Sequence, residues 1–177
     1  MGFWSAHPVP PMRREAIGGD RIVRCFASRP ASVHALFARA VAARGRHDAV
    51  VCEGRRWTYR EADAEVQRIA LALAALGVVA GDRVGLLFGN RPEFVFVLFA
   101  VQRLGAIAVP IGVREQRPGL AYILAQCGAG AIVFDAGLDE RVPDASEAPT
   151  LRVRLGVDAL QAMTPPAGAA LAPLPPA

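Results

Sequence analysis

The chain has 177 residues, enough for one domain with its own core or for a section of a larger one. Just over half the residues are apolar and a fifth are charged, which excludes a disordered chain for its middle. All 20 basic residues are Arg, scattered among 16 acids to a net charge of +4. That pattern excludes the aromatic-interleaved basic stripe of a nucleic-acid binder, and the absence of Lys excludes any step carried by an ammonium group of this chain.

Residues 1–30 are rich in Pro, Gly and Arg with no sustained period and read as an irregular lead-in. They contain no apolar core of signal-peptide length, Ala6 stands where a myristoylation motif needs Ser or Thr, and "EAIGGD" follows Arg13–Arg14 where an export signal needs an apolar run. "FVFVLFAV" is too short to span a bilayer. These features together lead to the expectation of a cytoplasmic protein without a membrane span.

"ASVHALFARAVAARG" (31–45) places Val33, Leu36, Phe37, Ala40 and Val41 on one helical face, with Ser32 as N-cap and Gly45 at the end. "DAVVCEGRRWTY" reads as two short strands about a turn. Thr58 and Glu61 then have capping-box spacing, ahead of a helix with Ala62, Val66, Ile69, Leu73 and Leu76 on one face and a stop at Gly77. Val84 to Phe88 is too apolar for a strand with a wet face. Pro92 suits the first turn of the next helix, which runs to about Leu104 and is apolar nearly all round. "AIAVP" reads as a core strand ended near Pro110, "RPGLAYILAQC" as a helix stopped by Gly128, and "AIVFD" as another buried strand. "TLRVRLGV" alternates as a strand nearer an edge, and the Pro/Ala-rich end reads as a linker or tail. Strand, helix, strand, helix, strand with short links predicts a parallel sheet with helical crossovers, an α/β fold.

Few residues suggest chemistry. No phosphate loop with its Lys and hydroxyl exists, and the glycines of "CGAGA" follow a helix and precede a strand, the reverse of a dinucleotide loop. His7, His34 and His47 are isolated and read as structural or surface residues. The acid pairs Asp139–Glu140 and Glu61–Asp63 read as solvated. Cys25, Cys52 and Cys127 are odd in number, have no metal-ligand spacing, and read as buried thiols in a reducing compartment. "GNRPEF" (89–94) is either an anion site at a helix N-terminus or a helix-start turn, with the turn favoured because Pro92 removes a donor and Arg91 has Glu93 beside it.

The stretch from "WTYRE" through "GVVAGDRV", "NRPE" and "LGAIAVP" to "LAYIL" and "AIVFD" resembles the N-terminal region of the adenylate-forming enzymes, among them acyl-CoA synthetases. It covers about residues 31–160, so 1–30 stand as a lead-in and 161–177 as a Pro/Ala-rich tail or linker. The wording around "VPIGVREQRPGLAYIL" is closest to fatty-acyl and medium-chain CoA ligases. The resemblance implies the N-terminal α/β subdomain of that fold, incomplete, with a parallel-rich sheet and flanking helices. It also implies a two-step reaction, carboxylate adenylation by ATP and then thioester formation with CoA, with ATP, Mg2+ and CoA as cofactors of the complete enzyme. The family's Ser/Thr/Gly-rich ATP loop and catalytic Lys are absent from this sequence. The expectation is therefore a fragment of an acyl-CoA ligase, inactive alone and binding no cofactor, whose partner is the missing remainder as a separate chain. The alternative is a non-catalytic binding or interaction module derived from the fold. No catalytic and no metal residues are assigned. By analogy with the acetyl-CoA synthetase branch, Gly112 and Arg141 are the candidates for a position near CoA, although "IGVRE" and "GLDERVP" depart from that branch's pattern.

Overall fold

The computed structural model describes residues 9–166 and 168–171; His7 and the last six residues of the tail lie outside them. Two antiparallel hairpins precede a four-stranded parallel sheet. The first hairpin joins β1 (Met12–Ala16) to β2 (Ile22–Phe26). Over residues 12–26 this corrects the irregular reading of the lead-in. The turn signal Gly18–Gly19–Asp20 was present, with both glycines at positive φ, but the flanking Arg residues hid the alternation of the strands.

Helix α1 (Val33–Arg44) begins where Ser32 caps it, its side chain accepting the Ala35 N–H at 3.0 Å. The second hairpin, β3 (Asp48–Cys52) and β4 (Arg55–Thr58), turns at Glu53–Gly54, both with positive φ. Thr58 then opens α2 (Tyr59–Ala75) through a complete capping box: its hydroxyl accepts the Glu61 N–H while the Glu61 carboxylate accepts the Thr58 N–H at 2.8 Å.

The sheet consists of β5 (Arg83–Leu87), β6 (Ile107–Ile111), β7 (Ala129–Phe134) and β8 (Val153–Gly156), in the order β6-β5-β7-β8. Its connections reverse direction. The link from β5 to β6 carries α3 (Pro92–Arg103) toward one edge, and the link from β6 to β7 carries α4 (Arg117–Cys127) back across β5. Right-handed crossovers in opposite directions must lie on opposite faces of a sheet. The core obeys this rule. Val84, Leu86, Ala131 and Val133 pack with α2 and α3, whereas Leu87, Ile132 and Phe134 pack with Leu120 and Leu124 of α4. The β7–β8 link moves in the same direction as α4, and its Val142, Ala148 and Leu151 lie on the α4 face.

Alternate residues of β5 therefore serve different layers, and both layers are buried. At Gly85 the fit to α4 is closest: a Cβ there would stand 3.0 Å from Leu124 Cδ2 and 3.2 Å from Ile132 Cγ1. On the other face Phe37 of α1 stacks on Phe99 of α3 with ring centroids 4.3 Å apart, and Trp57 meets Phe96 edge-on at 5.7 Å.

Two details differ from the sequence reading. β6 is an edge strand and continues through Pro110 to Ile111, because an edge tolerates a residue without an N–H. A short helix, α5 (Val157–Ala162), follows β8 and crosses the expected boundary at residue 160. Arg68 of α2 donates to the Leu160 and Met163 carbonyls at 3.0 and 3.2 Å, and Met163 and Leu171 rest against the core, so the beginning of the tail is docked.

Candidate functional site

Where the connections of a parallel sheet reverse, the loops leaving two neighbouring strands diverge and open a crevice beyond their carboxyl ends. Here that point lies between β5 and β7, and the loops concerned are Phe88–Arg91 and the turn after Phe134. Asp135 fills the crevice. Its backbone N–H continues the ladder to the Leu87 carbonyl at 2.9 Å, and its Oδ2 accepts the Gly89 N–H at 3.2 Å. Its Oδ1 accepts from Arg91 Nη1 in an ion pair. Gly89 leaves room for this arrangement, since a Cβ there would press on Asp135 Oδ2 at 3.3 Å.

Arg91 also donates from Nε to Glu93 Oε2 at 2.7 Å, and Glu93 Oε1 accepts from Gln161 of α5 at 2.7 Å. The guanidinium bond to Glu93 holds that carboxyl below its ordinary pKa. The same bond, with Asp135 adding to it, raises the pKa of Arg91. The carboxylate of Asp135 thus stands where an external anion would meet Gly89 and Arg91. Of the two readings of "GNRPEF", the helix-start turn is the one observed, with Pro92 at the first helical position. A cleft of about 520 Å³ beside it is lined by Trp57, Arg55, Cys52 and the same Asn90–Glu93 turn. Arg55 lies over the Trp57 ring, 4.3 Å from its centroid.

Of the two residues singled out by resemblance, Arg141 reaches the loop that holds Gly112. Arg141 closes a short 3-10 turn (Asp139–Arg141) and donates from Nη1 to the carbonyl of Val113, next to Gly112, at 2.8 Å. Gly112 is exposed, and a Cβ there would meet nothing within 4 Å. The site near these two residues is a pair of surface loops joined by one hydrogen bond.

The other sequence candidates lie elsewhere in the fold. His34, in the first turn of α1, has a buried Nδ1 without a hydrogen-bond partner. Burial first, and then the positive Arg103 nearby, push its pKa down. It lines an open cleft of about 800 Å³ with Asp63, Gln67 and Arg103, the last of which bonds Gln67 at 2.8 Å and pairs with Asp63. His47 supplies backbone bonds in the turn before β3. Glu61 belongs to the capping box, and Gly128 is the left-handed cap of α4. The three cysteines are free and half-buried, not buried as the sequence suggested. They lie in the β1–β2 hairpin, in the β3–β4 hairpin and at the end of α4, where Cys127 packs against the α4-side core. Among the described residues no cluster of three His, Cys, Asp or Glu is placed to hold a metal ion, and no helix is long and apolar enough to cross a membrane.

The sequence pointed to the Arg91–Glu93 pair alone; the links to Asp135 and Gln161 join residues 44 and 68 apart and left no sign in it. A reader alert to sheet reversal could have suspected only the turn after β5.

Residues 37–173 match the model of the AMP-binding enzyme family, and the chain belongs to that family. It is 40% identical over 81 residues to the long-chain-fatty-acid–CoA ligase FadD13 of Mycobacterium tuberculosis, a match that covers 46% of this chain and 16% of the relative. It is 37% identical over 97 residues to the crotonobetaine/carnitine–CoA ligase of Escherichia coli, covering 52% of this chain and 19% of the relative. The chain thus spans less than a fifth of the length of these two relatives. A crystal structure of the N-terminal domain of FACL13 from Mycobacterium tuberculosis superposes with a TM-score of 0.69 at 27% identity, over 78% of this chain and 37% of that domain. The expected fold class, the N-terminal α/β subdomain of the adenylate-forming enzymes, is the one observed.

Proposed function

We propose that this chain is the opening section of an ATP-dependent acyl-CoA ligase of fatty-acid metabolism, working in the cytoplasm, and that alone it catalyses neither adenylation nor thioester formation. The similarity to two CoA ligases supports the reaction class. The observation that carries the second half is the closed switch point. The crevice where an α/β sheet of this kind receives a ligand holds Asp135, already bonded to Gly89 and Arg91, and the chain has no Lys to bring to a phosphate or adenylate. ATP, Mg2+ and CoA then belong to the complete enzyme, and the partner of this section is the remainder of that enzyme. Gly112 and Arg141 face the CoA nucleotide in that assembly, their loops held together by the Arg141–Val113 bond.

The test is ATP–pyrophosphate exchange with fatty acids of several chain lengths. The purified chain gives no exchange above background, and robust exchange overturns the reading. Adding a purified polypeptide that corresponds to the rest of a related ligase restores exchange if the section and the remainder assemble. If they do not, the binding-module reading takes its place.

A further inference from the structure

The β1–β2 hairpin lies outside the residues that match the family, and its strands share no ladder with the other sheets. It also carries a net positive charge. Between residues 9 and 30 there are five Arg against Glu15 and Asp20, so this segment carries three of the four net positive charges of the whole sequence. The two faces of the ribbon differ. Directly opposed residues of an antiparallel pair share a face. On one face Glu15 is bonded by Arg13 and Arg29, and Val23 and Cys25 are half-buried.

The other face is open to solvent. Its cross-strand pairs are Met12 with Phe26, Arg14 with Arg24, and Ala16 with Ile22. Met12, Ile22 and Phe26 are 39%, 53% and 49% exposed, and Ile17 at the turn is 46% exposed. Arg14 and Arg24 stand opposite each other with no ion pair among the described residues, and Arg24 reaches only the Met12 sulfur at 3.7 Å. Like charges directly opposed in a ladder are unfavourable unless an anion lies between them.

We propose that this face binds the surface of an anionic phospholipid bilayer. Apolar side chains enter the boundary between headgroups and acyl chains, and the two guanidiniums meet lipid phosphates while their stems lie along the apolar surface. A second copy of the chain is a poor occupant, because it would bring four guanidiniums together. A bilayer needs no fixed surface complement, which suits a ribbon with a charged centre and apolar ends. The proposal is independent of the ligase reading, since it rests on residues that the family match does not include.

The test is co-sedimentation of the whole chain with vesicles of phosphatidylcholine alone and of phosphatidylcholine mixed with phosphatidylglycerol. The chain pellets with the mixed vesicles and stays in solution with the neutral ones. Arg14→Glu combined with Arg24→Glu lowers the partition about tenfold or more. Ile22→Ser combined with Phe26→Ser lowers it with the charge unchanged, and circular dichroism reports the retained helices in both variants. Equal pelleting on neutral vesicles overturns the proposal, as does anionic binding that both double variants leave intact. Binding to polyuridylate without binding to anionic vesicles overturns it in favour of a polyanion site.

Discussion

The guanidinium of Arg91 closes on the carboxylate of Asp135 across the mouth between β5 and β7, joining residues 44 apart in the chain. Both side chains are mostly shielded from solvent, so this ion pair is less screened than one on an open surface. It ties the start of α3 to the end of a central strand, and through Glu93 it reaches α5.

Asp135→Ala removes one partner and leaves the Gly89 N–H and the Arg91 Nη1 without their acceptor, while Arg91 Nε keeps Glu93. The expected loss is about 1–3 kcal/mol of unfolding free energy, read as a lower urea midpoint at unchanged slope. An unchanged midpoint would show that water replaces the carboxylate without loss.

Gly85→Val tests the packing of α4 on the sheet. Even a single methyl at Gly85 comes within 3.0 Å of Leu124 and 3.2 Å of Ile132, so the larger side chain displaces both. Overpacking of this kind costs about 1–3 kcal/mol, whereas Gly112→Ala, in open space, stays within about 0.5 kcal/mol of the parent. Thermal unfolding of the two variants side by side gives the comparison.

Thr58→Ala opens the capping box at the start of α2. Its expected cost is about 0.5–2 kcal/mol, because Glu61 loses the hydroxyl bonded to its backbone and side chain. Far-ultraviolet circular dichroism during urea unfolding measures it.

His34 gives stability a pH dependence. Its pKa is pushed below the ordinary value of about 6.5 by burial and by Arg103, so in the folded state it resists protonation. Below about pH 6.5 the unfolded chain binds a proton that the folded chain refuses. Stability is therefore full above that pH and falls as the solution is acidified toward the folded pKa. Glu93 acts in a lower window. Its pKa is depressed by Arg91, so its contribution is present above the ordinary carboxylate value of about 4.5 and is lost as pH falls through the folded value. Urea midpoints between pH 7.5 and 5.5 should fall in the parent and fall less in His34→Gln; equal slopes would remove His34 from this account.

Much of the fold was legible because its signals are local. The Ser32 and Thr58 caps, Pro92 at the first turn of α3 and Gly128 after α4 each act within a few residues, and each stands where the sequence placed it. The unbroken apolar run of β5 revealed burial on both faces. The β1–β2 hairpin and α5 were hidden for opposite reasons. The first carries charges where a strand pattern should alternate, and the second is six residues long and held by contacts with Arg68 and Glu93 on distant helices. The links of Asp135 to Arg91 and of Glu93 to Gln161 were beyond reach, since no period or motif joins positions so far apart in the chain.

The strand order also sets an order of assembly during synthesis. β5 is the first strand of its sheet to be made, yet it ends with a neighbour on each side. β6 can cover one edge as soon as α3 has formed, but the other edge stays bare until Phe134 has been added. For those residues of growth a strand apolar from Val84 to Leu87 presents an open ladder to any other chain within reach, and the nascent protein is most prone to aggregate in that interval.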